Sequence, residues 1–248
     1  MDRARRIVSL VPSLTELLAW LGAGDDLVGR TRFCVAPAGA VEHIAIVGGT
    51  KNPRLEQIIA LRPDLVVANR EENRREDVEA LRRAGLEVLV TDPNDLEGAL
   101  AVIERLGDIA GAAAKAASLV RDTRDALAGV PARGPRICVL LWKEPWMALG
   151  TGTYGHDLVR RCGAENVFAD RERYPVVTFD EVAERRPDLV LLPDEPYRFG
   201  PADAGYCSPV APARVIDGRL LWWYGPRIPA AVRALATLFQ EQPNDPRR

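Results

Sequence analysis

One short stretch occurs twice in this chain, and the repetition limits the folds open to it. Ile58-Ile59-Ala60-Leu61-Arg62-Pro63-Asp64-Leu65-Val66-Val67 is answered by Glu181-Val182-Ala183-Glu184-Arg185-Arg186-Pro187-Asp188-Leu189-Val190-Leu191, and the two prolines stand half a chain apart. Each copy reads as a helix stopped by Arg-Pro-Asp, because proline cannot continue a helix, followed by a wholly apolar strand of the kind buried in parallel sheets. Upstream, Leu18 to Gly24 before Asp25-Asp26-Leu27-Val28 resembles Arg161-Cys162-Gly163-Ala164 before Glu165-Asn166-Val167-Phe168, each a helix running through a glycine turn into a strand. Two like α/β halves joined by a long helical stretch imply two lobes with a cleft between them.

The rest of the chain fits that plan. Arg6 to Val11 reads as a buried strand ending at Pro12, after which Ser13 is expected to cap a helix, with Glu16 completing a capping box and Leu14, Leu17, Leu18 and Leu21 on its core face. Helices are expected over Leu55–Leu61 and Glu76–Ala84, and strands over Leu65–Ala68, Glu87–Thr91 and from Arg136 to Trp142. Leu96 to about Gly129 is almost wholly helical in pattern, with a weak break at Gly107 to Gly111.

Composition excludes several classes. The 248 residues are 47% hydrophobic and 27% charged with a formal net charge of −2, so a full core is available and no basic face points to nucleic acid. Cys34, Cys138, Cys162 and Cys207 form no C-x-x-C pair and only His43 and His156 could join them, so no protein-built metal site is expected. Scattered thiols suit a reducing compartment. The apolar run after the basic first residues, Ile7 to Val11, is too short for a secretory h-region, and no stretch approaches a membrane span. The expectation from the sequence as it stands is a cytoplasmic location and a monomer, or a periplasmic or cell-surface location if the true start lies upstream.

Gly150-Thr151-Gly152-Thr153-Tyr154-Gly155 satisfies G-x-G-x-x-G, with Asp170 twenty positions on. A nucleotide- or dinucleotide-binding enzyme is therefore the alternative reading, although a dinucleotide fold usually opens with this motif, which here lies mid-chain. No G-x-S-x-G, H-E-x-x-H or P-loop is present, and His156 beside Asp157 reads as a cap or surface residue, because neighbours on a helix point apart. No catalytic residue is expected. A third reading is an interaction protein that keeps the fold without a ligand.

Aromatic residues are sparse, at 6%, yet collect in turns: Phe33, Trp142 and Trp146 around Lys143-Glu144-Pro145, Tyr154, and Trp222-Trp223-Tyr224 before Gly225-Pro226-Arg227. Read as a strand, Trp222 and Trp223 face opposite ways, which makes one of them core. A buried aromatic ring removes ~150–250 Å² from water, worth ~4–6 kcal/mol gross at ~25 cal/mol per Å², against an association cost of ~4–15 kcal/mol. One wall is insufficient, and two walls favour a bulky flat ligand. The acidic turns Asn69 to Glu76 and Leu192 to Arg198 follow matching strands of the repeat and suit a partner with basic sockets.

Ile7-Val8-Ser9-Leu10-Val11-Pro12-Ser13-Leu14-Thr15-Glu16, Val47-Gly48-Gly49-Thr50, Leu61-Arg62-Pro63-Asp64-Leu65-Val66 and Gly163-Ala164-Glu165-Asn166-Val167-Phe168, taken in order, resemble the helical-backbone metal receptors. These are the substrate-binding proteins of cobalamin and iron-chelate (ferric siderophore, haem) ABC importers, and the resemblance runs from about Arg6 to Leu238. It implies two Rossmann-like α/β lobes bridged by a single long helix: an N-terminal lobe over residues 1–110, a bridge over 111–130, a C-terminal lobe over 131–240 and a disordered tail over 241–248. It implies non-enzymatic binding of a corrinoid or ferric chelate, without a covalent cofactor. The expected contacts are Ser13, Phe33, Asn69, Arg70, Trp142, Trp146, Tyr154, Trp223, Tyr224 and Arg227. Docking on an ABC permease through an acid on each lobe is implied for Glu72 or Glu76 and for Glu195, with Arg75 standing where an acid is expected.

Overall fold

The computed structural model describes residues 5–131 and 133–241. The first four residues and most of the expected disordered tail, 242–248, lie outside the described residues. The chain is α/β and divides into two compact units.

The first unit contains the chain up to Pro93, Glu97–Arg121 and Tyr224–Pro226. Its sheet has the order β3-β2-β1-β4-β5, all parallel, from β1 (Ile7–Ser9), β2 (Leu27–Arg30), β3 (Ala45–Ile46), β4 (Leu65–Asn69) and β5 (Val88–Thr91). Both central strands, β1 and β4, are buried along their whole length, as their unbroken apolar sequence requires. Helices α1 (Pro12–Leu18), α2 (Leu55–Ala60) and α3 (Arg75–Arg83) connect them, and α4 (Leu96–Ile109) follows β5. Val8, Leu10, Ile58, Val66, Val78 and Leu81 form one of the cores.

The start of α1 departs from expectation. Val11 is the N-cap and Pro12 the first helical residue, so Ser13 lies inside the helix and caps nothing. Proline's fixed φ suits that first position, where its missing N–H is no loss. The expected leucine face is buried, and a π-helical turn over Ala19–Ala23 ends the helix at Gly22, whose φ of +94° few other residues adopt.

Helix α5 (Ala113–Ala128) covers the expected bridge: its residues to Arg121 belong to the first unit and those from Asp122 to the second. The expected break before it is real, with α4 ending at Ile109 and Gly111 in the left-handed region. Gly107 is required there, since a Cβ on it would lie 2.4 Å from that of Ala116.

The second unit contains Asn94–Leu96, Asp122–Trp223 and the chain from Arg227. Its sheet runs β10-β9-β6-β7, with β8 also on β6. The strands are β6 (Arg136–Trp142), β7 (Met147–Ala148), β8 (Glu165–Asn166), β9 (Leu189–Pro193) and β10 (Ala213–Ile216); only β7 is antiparallel. Helices α6 (Tyr154–Arg161), α7 (Phe179–Glu184), α8 (Pro201–Cys207), α9 (Arg219–Trp222) and α10 (Ile228–Gln240) complete it. Trp222 and Trp223 do not form a strand: Trp222 ends α9 and Trp223 caps it.

The repeat detected in sequence is a repeated clasp. In the first unit Arg62 (φ 46°) ends α2, Arg6 donates from its guanidinium to the carbonyls of Leu61 at 2.6 Å and Arg62 at 3.3 Å, and Asp64 accepts from the amides of Arg5 and Arg6, both at 3.0 Å. In the second, Arg186 (φ 49°) follows α7, Arg136 donates to the Arg185 carbonyl at 2.7 Å, and Asp188 accepts from the Arg136 amide at 2.7 Å. Each aspartate also returns its own amide to the same arginine's carbonyl. The clasp satisfies carbonyls that a helix end leaves open and sets the next strand beside the first. Asp64 is exposed and Asp188 half-buried. Asp188→Ala should therefore cost about 1–3 kcal/mol and Asp64→Ala about 1 kcal/mol or less in urea unfolding, each lost hydrogen bond counting more where water cannot replace it.

Candidate functional site

In the first unit, the groups expected to face a ligand fall into two kinds. Asn69, at the end of β4, is buried. Its amide nitrogen donates to the Thr91 carbonyl (3.1 Å) and to the Tyr224 hydroxyl (3.0 Å), while its oxygen accepts from the amides of Glu71 (2.8 Å) and Glu72 (3.2 Å). A side-chain amide offers about four hydrogen-bonding positions, and here they are committed to shaping the turn. Tyr224 is buried too, with its hydroxyl also 3.0 Å from Thr91 Oγ1, and burial pushes its phenol up. Ser13 is buried, and its hydroxyl makes no hydrogen bond. Ser13, Asn69 and Tyr224, all expected as ligand contacts, are thus interior in this structure.

Phe33 and Arg70 are different. Phe33 is 50% exposed, with the Arg32 guanidinium 4.9 Å from its ring centre. Arg70 is exposed and paired with Asp92 at 2.8 Å. Of the two acids expected to dock a partner from this unit, Glu76 is exposed in the first turn of α3, where the helix dipole favours a carboxylate, and Glu72 is half-buried. Arg75 turns back along α3 to Glu79 at 2.6 Å.

In the second unit six aromatic rings form one continuous ladder. Trp142 meets Tyr197 edge-on at 5.6 Å, and Tyr197 lies 4.6 Å from Phe199. Phe199 is parallel to Trp146 at 6.1 Å, Trp146 is near-parallel to Tyr206 at 5.8 Å, and Tyr206 lies 4.9 Å from Phe179. Lys143, held by Asp203 at 2.8 Å, stands 5.7 Å from both the Trp146 and Tyr206 rings. Trp146, expected as a ligand wall, is instead the middle rung, packed against the core. The most open faces are those of Trp142, 41% exposed at one end, and Tyr206, 54% exposed and next to the other end. Sequence reading missed Tyr197, Phe199, Tyr206 and Phe179 as members. Their only advance signal was the clustering of Tyr197 and Phe199 in the turn after β9.

The glycine motif has a packing explanation at each position. Gly150 donates its amide to the Arg173 carbonyl at 2.6 Å and Thr151 to that of Arg171 at 2.8 Å, so the amides a pyrophosphate would need are already paired. A Cβ on Gly150 would lie 2.4 Å from the Arg171 carbonyl oxygen, Gly152 has φ +71°, and a Cβ on Gly155 would lie 2.8 Å from the Trp222 ring. Asp170, which a dinucleotide would need at its ribose, is gripped by Arg185 at 2.6 and 3.0 Å. Tyr154, expected as a ligand contact, is buried in the first turn of α6. The nucleotide-enzyme alternative therefore finds no support. His156 is half-buried with Nδ1 3.1 Å from the Asn166 amide, and burial pulls its imidazole down.

Trp223 is the second open indole of this unit, half-exposed between the guanidiniums of Arg227 at 5.2 Å and Arg219 at 6.0 Å. Glu195, expected as a docking acid, is half-buried under this segment, and its backbone carbonyl accepts from the Trp222 indole at 2.7 Å. Among the described residues no cluster of three or more metal-ligating side chains occurs. The four cysteines are free and buried, and burial pushes the Cys162 thiol up to about 12 and the Cys207 thiol up to about 11, far from reactive thiolates.

Two expectations test these assignments. Tyr224→Phe should destabilise by about 1–3 kcal/mol in chemical unfolding, because the buried Asn69 and Thr91 groups each lose a partner. Asp157 gives the pH dependence: burial raises its carboxyl, but the Leu96 amide at 3.0 Å and the Arg160 and Arg161 guanidiniums at 2.7 and 2.8 Å outweigh that and hold it below the usual aspartate range. A depressed carboxyl contributes stability above its unfolded value and loses it as pH falls through the folded one. Asp157→Asn should therefore lower the melting temperature at neutral pH and flatten its decline on acidification.

Comparison with known proteins follows the same lines. The family model described as periplasmic binding protein matches residues 7–198. A vitamin B12-binding protein of Vibrio parahaemolyticus is 30% identical over 198 residues, covering 77% of this chain and 71% of that protein. The structure of a periplasmic vitamin B12 binding protein of Vibrio cholerae superposes with a TM-score of 0.79 at 25% identity, covering 96% of this chain and 99% of the other. That of a periplasmic heme binding protein of Pseudomonas aeruginosa gives 0.80 at 26% identity, covering 95% and 92%. The chain belongs to the periplasmic binding protein family, whose members bind rather than catalyse.

Proposed function

We propose that this protein captures a corrinoid or a haem- or siderophore-type metal chelate reversibly, as the substrate-binding component of an ABC importer. The observation that carries the reading is the pairing of open aromatic faces with guanidiniums: Phe33 beside Arg32 in the first unit and Trp223 beside Arg227 in the second, with Trp142 at the open end of the ladder. Such a face suits a large, flat ligand with oxygen atoms at its edge. The magnitudes point the same way. The exposed two-fifths of an indole leaves on the order of 100 Å² to bury, about 2.5 kcal/mol, and Phe33 offers a similar amount. Association costs ~4–15 kcal/mol, more than one such face repays, which favours a ligand with a large apolar surface of its own.

The names of the relatives, which are vitamin B12- and heme-binding, support this ligand class. Two of those relatives are periplasmic by name, which favours the periplasmic alternative over the cytoplasmic one. No helix among the described residues is long and apolar enough to cross a membrane. For docking on a permease, Glu76 is the better-placed acid of the first unit, with Glu72 beside it. The revised contact set is Phe33, Arg70, Trp142, Tyr197, Trp223 and Arg227.

Titration with cyanocobalamin, haemin and a ferric siderophore, followed by tryptophan fluorescence, tests this. One of them should bind at micromolar concentration or below, and Trp142→Ala should weaken it by about tenfold, or ~1.4 kcal/mol, without lowering the melting temperature. No response to any of the three would remove the ligand class.

A further inference from the structure

Between β2 and β3 the chain runs from Thr31 to Ile44 without a helix or strand, and this loop carries Phe33. Its side chains alternate there: Cys34 and Ala36 are buried, whereas Phe33 is 50% and Val35 62% exposed. Turning two large apolar side chains outward forgoes hydrophobic burial, so the loop has to be held by something else. The hold comes from the last residue of β2. Arg30 is buried, and its guanidinium spans the loop: Nε donates to the Val41 carbonyl at 2.7 Å, while Nη1 donates to those of Cys34 at 3.1 Å and Thr31 at 3.3 Å. Thr31 continues the frame, its hydroxyl oxygen accepting from the Phe33 amide at 3.3 Å and lying 3.1 Å from Cys34 Sγ. Glu42 closes the far end, accepting from the amides of Gly39 at 2.8 Å and Val41 at 3.2 Å. Burying a cation is expensive even when its donors are satisfied, and here the donors are spent on one loop.

We infer that Arg30 is a positioning residue for ligand binding: from inside the fold it holds residues 31–41 in the arrangement that turns Phe33 and Val35 outward as one apolar face. This deepens the ligand-binding reading above, on which it rests, by adding Val35 to the contact face and making affinity depend on a buried side chain behind it. Preorganisation is the physical reason. A face that is already fixed loses little conformational freedom when a ligand arrives, while a slack loop has to be ordered at the expense of affinity. The residue type matters as well. A guanidinium presents its donors in a rigid planar fork, so the three carbonyls it binds at once have little freedom relative to one another. The ammonium of a lysine is a point donor on a flexible stem and cannot join Val41 to Thr31 and Cys34 in that way.

Arg30→Lys and Arg30→Met, each in the full chain, test this through two readouts, and either variant that folds is sufficient. Without ligand, the amides of Phe33, Cys34 and Ala40 should exchange with solvent at least about tenfold faster than in the wild type, while the β4 amide of Val66 keeps its protection, because only the loop opens. With haemin, cyanocobalamin and a ferric siderophore as probes, whichever the wild type binds should bind about tenfold more weakly to the variant. The same Arg30 substitution is then made in a Phe33→Ala, Val35→Ala background. An arginine that acts through the face it holds should there weaken binding by no more than about twofold further, since the face is already gone. An equal loss in both backgrounds would mark Arg30 as a general stabiliser and overturn the inference. Wild-type affinity in the variants, or unchanged exchange in the loop, would overturn it too, and so would failure of both variants to fold. A wild type that binds none of the three probes removes the ligand-binding reading instead, and the exchange comparison then decides alone whether Arg30 holds the loop.

Discussion

Both sheets hang on the same small clasp. An arginine at the foot of the first strand reaches the open end of a helix, and an aspartate two residues after that helix's left-handed turn reaches back to the strand's amides. Helix ends are where backbone groups lack partners, and a strand's first residues are where register is set. One pair of side chains answers both needs, so the helix stop, the buried proline and the alignment of β1 with β4, or β6 with β9, are determined together. The buried strands behind the clasp then have no freedom to slide without moving an entire apolar row.

That economy explains why so much of the architecture was legible. The Arg-Pro-Asp segments, the apolar strands β4 and β9, the leucine face of α1 and the break before α5 all depend on neighbours in sequence, and each stands close to where its pattern placed it. The misreadings have local causes as well. Ser13 resembles a cap, but Pro12 already supplies the preset first position of the helix, which moves the cap to Val11. Trp222 and Trp223 have strand-forming side chains, yet Gly218 and Arg219 open a short helix whose place is fixed by Asp194 and Glu195.

The site was less legible because its decisive contacts are long-range. Asn69 and Tyr224 are 155 positions apart, and nothing near either residue announces that they consume one another's hydrogen-bonding capacity. Trp146 stands in an exposed-looking turn, but Phe199 and Tyr206, half a hundred residues later, stack on both sides of it. The general lesson concerns subtraction. Polar and aromatic residues collected at strand ends include those that shape the turns and those that remain open, and only packing tells them apart. Among the aromatic residues expected at the site, Phe33, Trp142 and Trp223 are the ones that keep a face open.

The three residues Tyr224–Pro226 belong to the first unit although their neighbours on both sides belong to the second. Neither half is therefore an uninterrupted fragment, and no single cut of the polypeptide yields two intact pieces. A gene truncated after α5 would encode every strand of the first sheet and still lack the phenol that caps its polar interior. The sheet's completion waits for the ribosome to finish nearly the whole message, and synthesis order alone couples the maturation of the two halves.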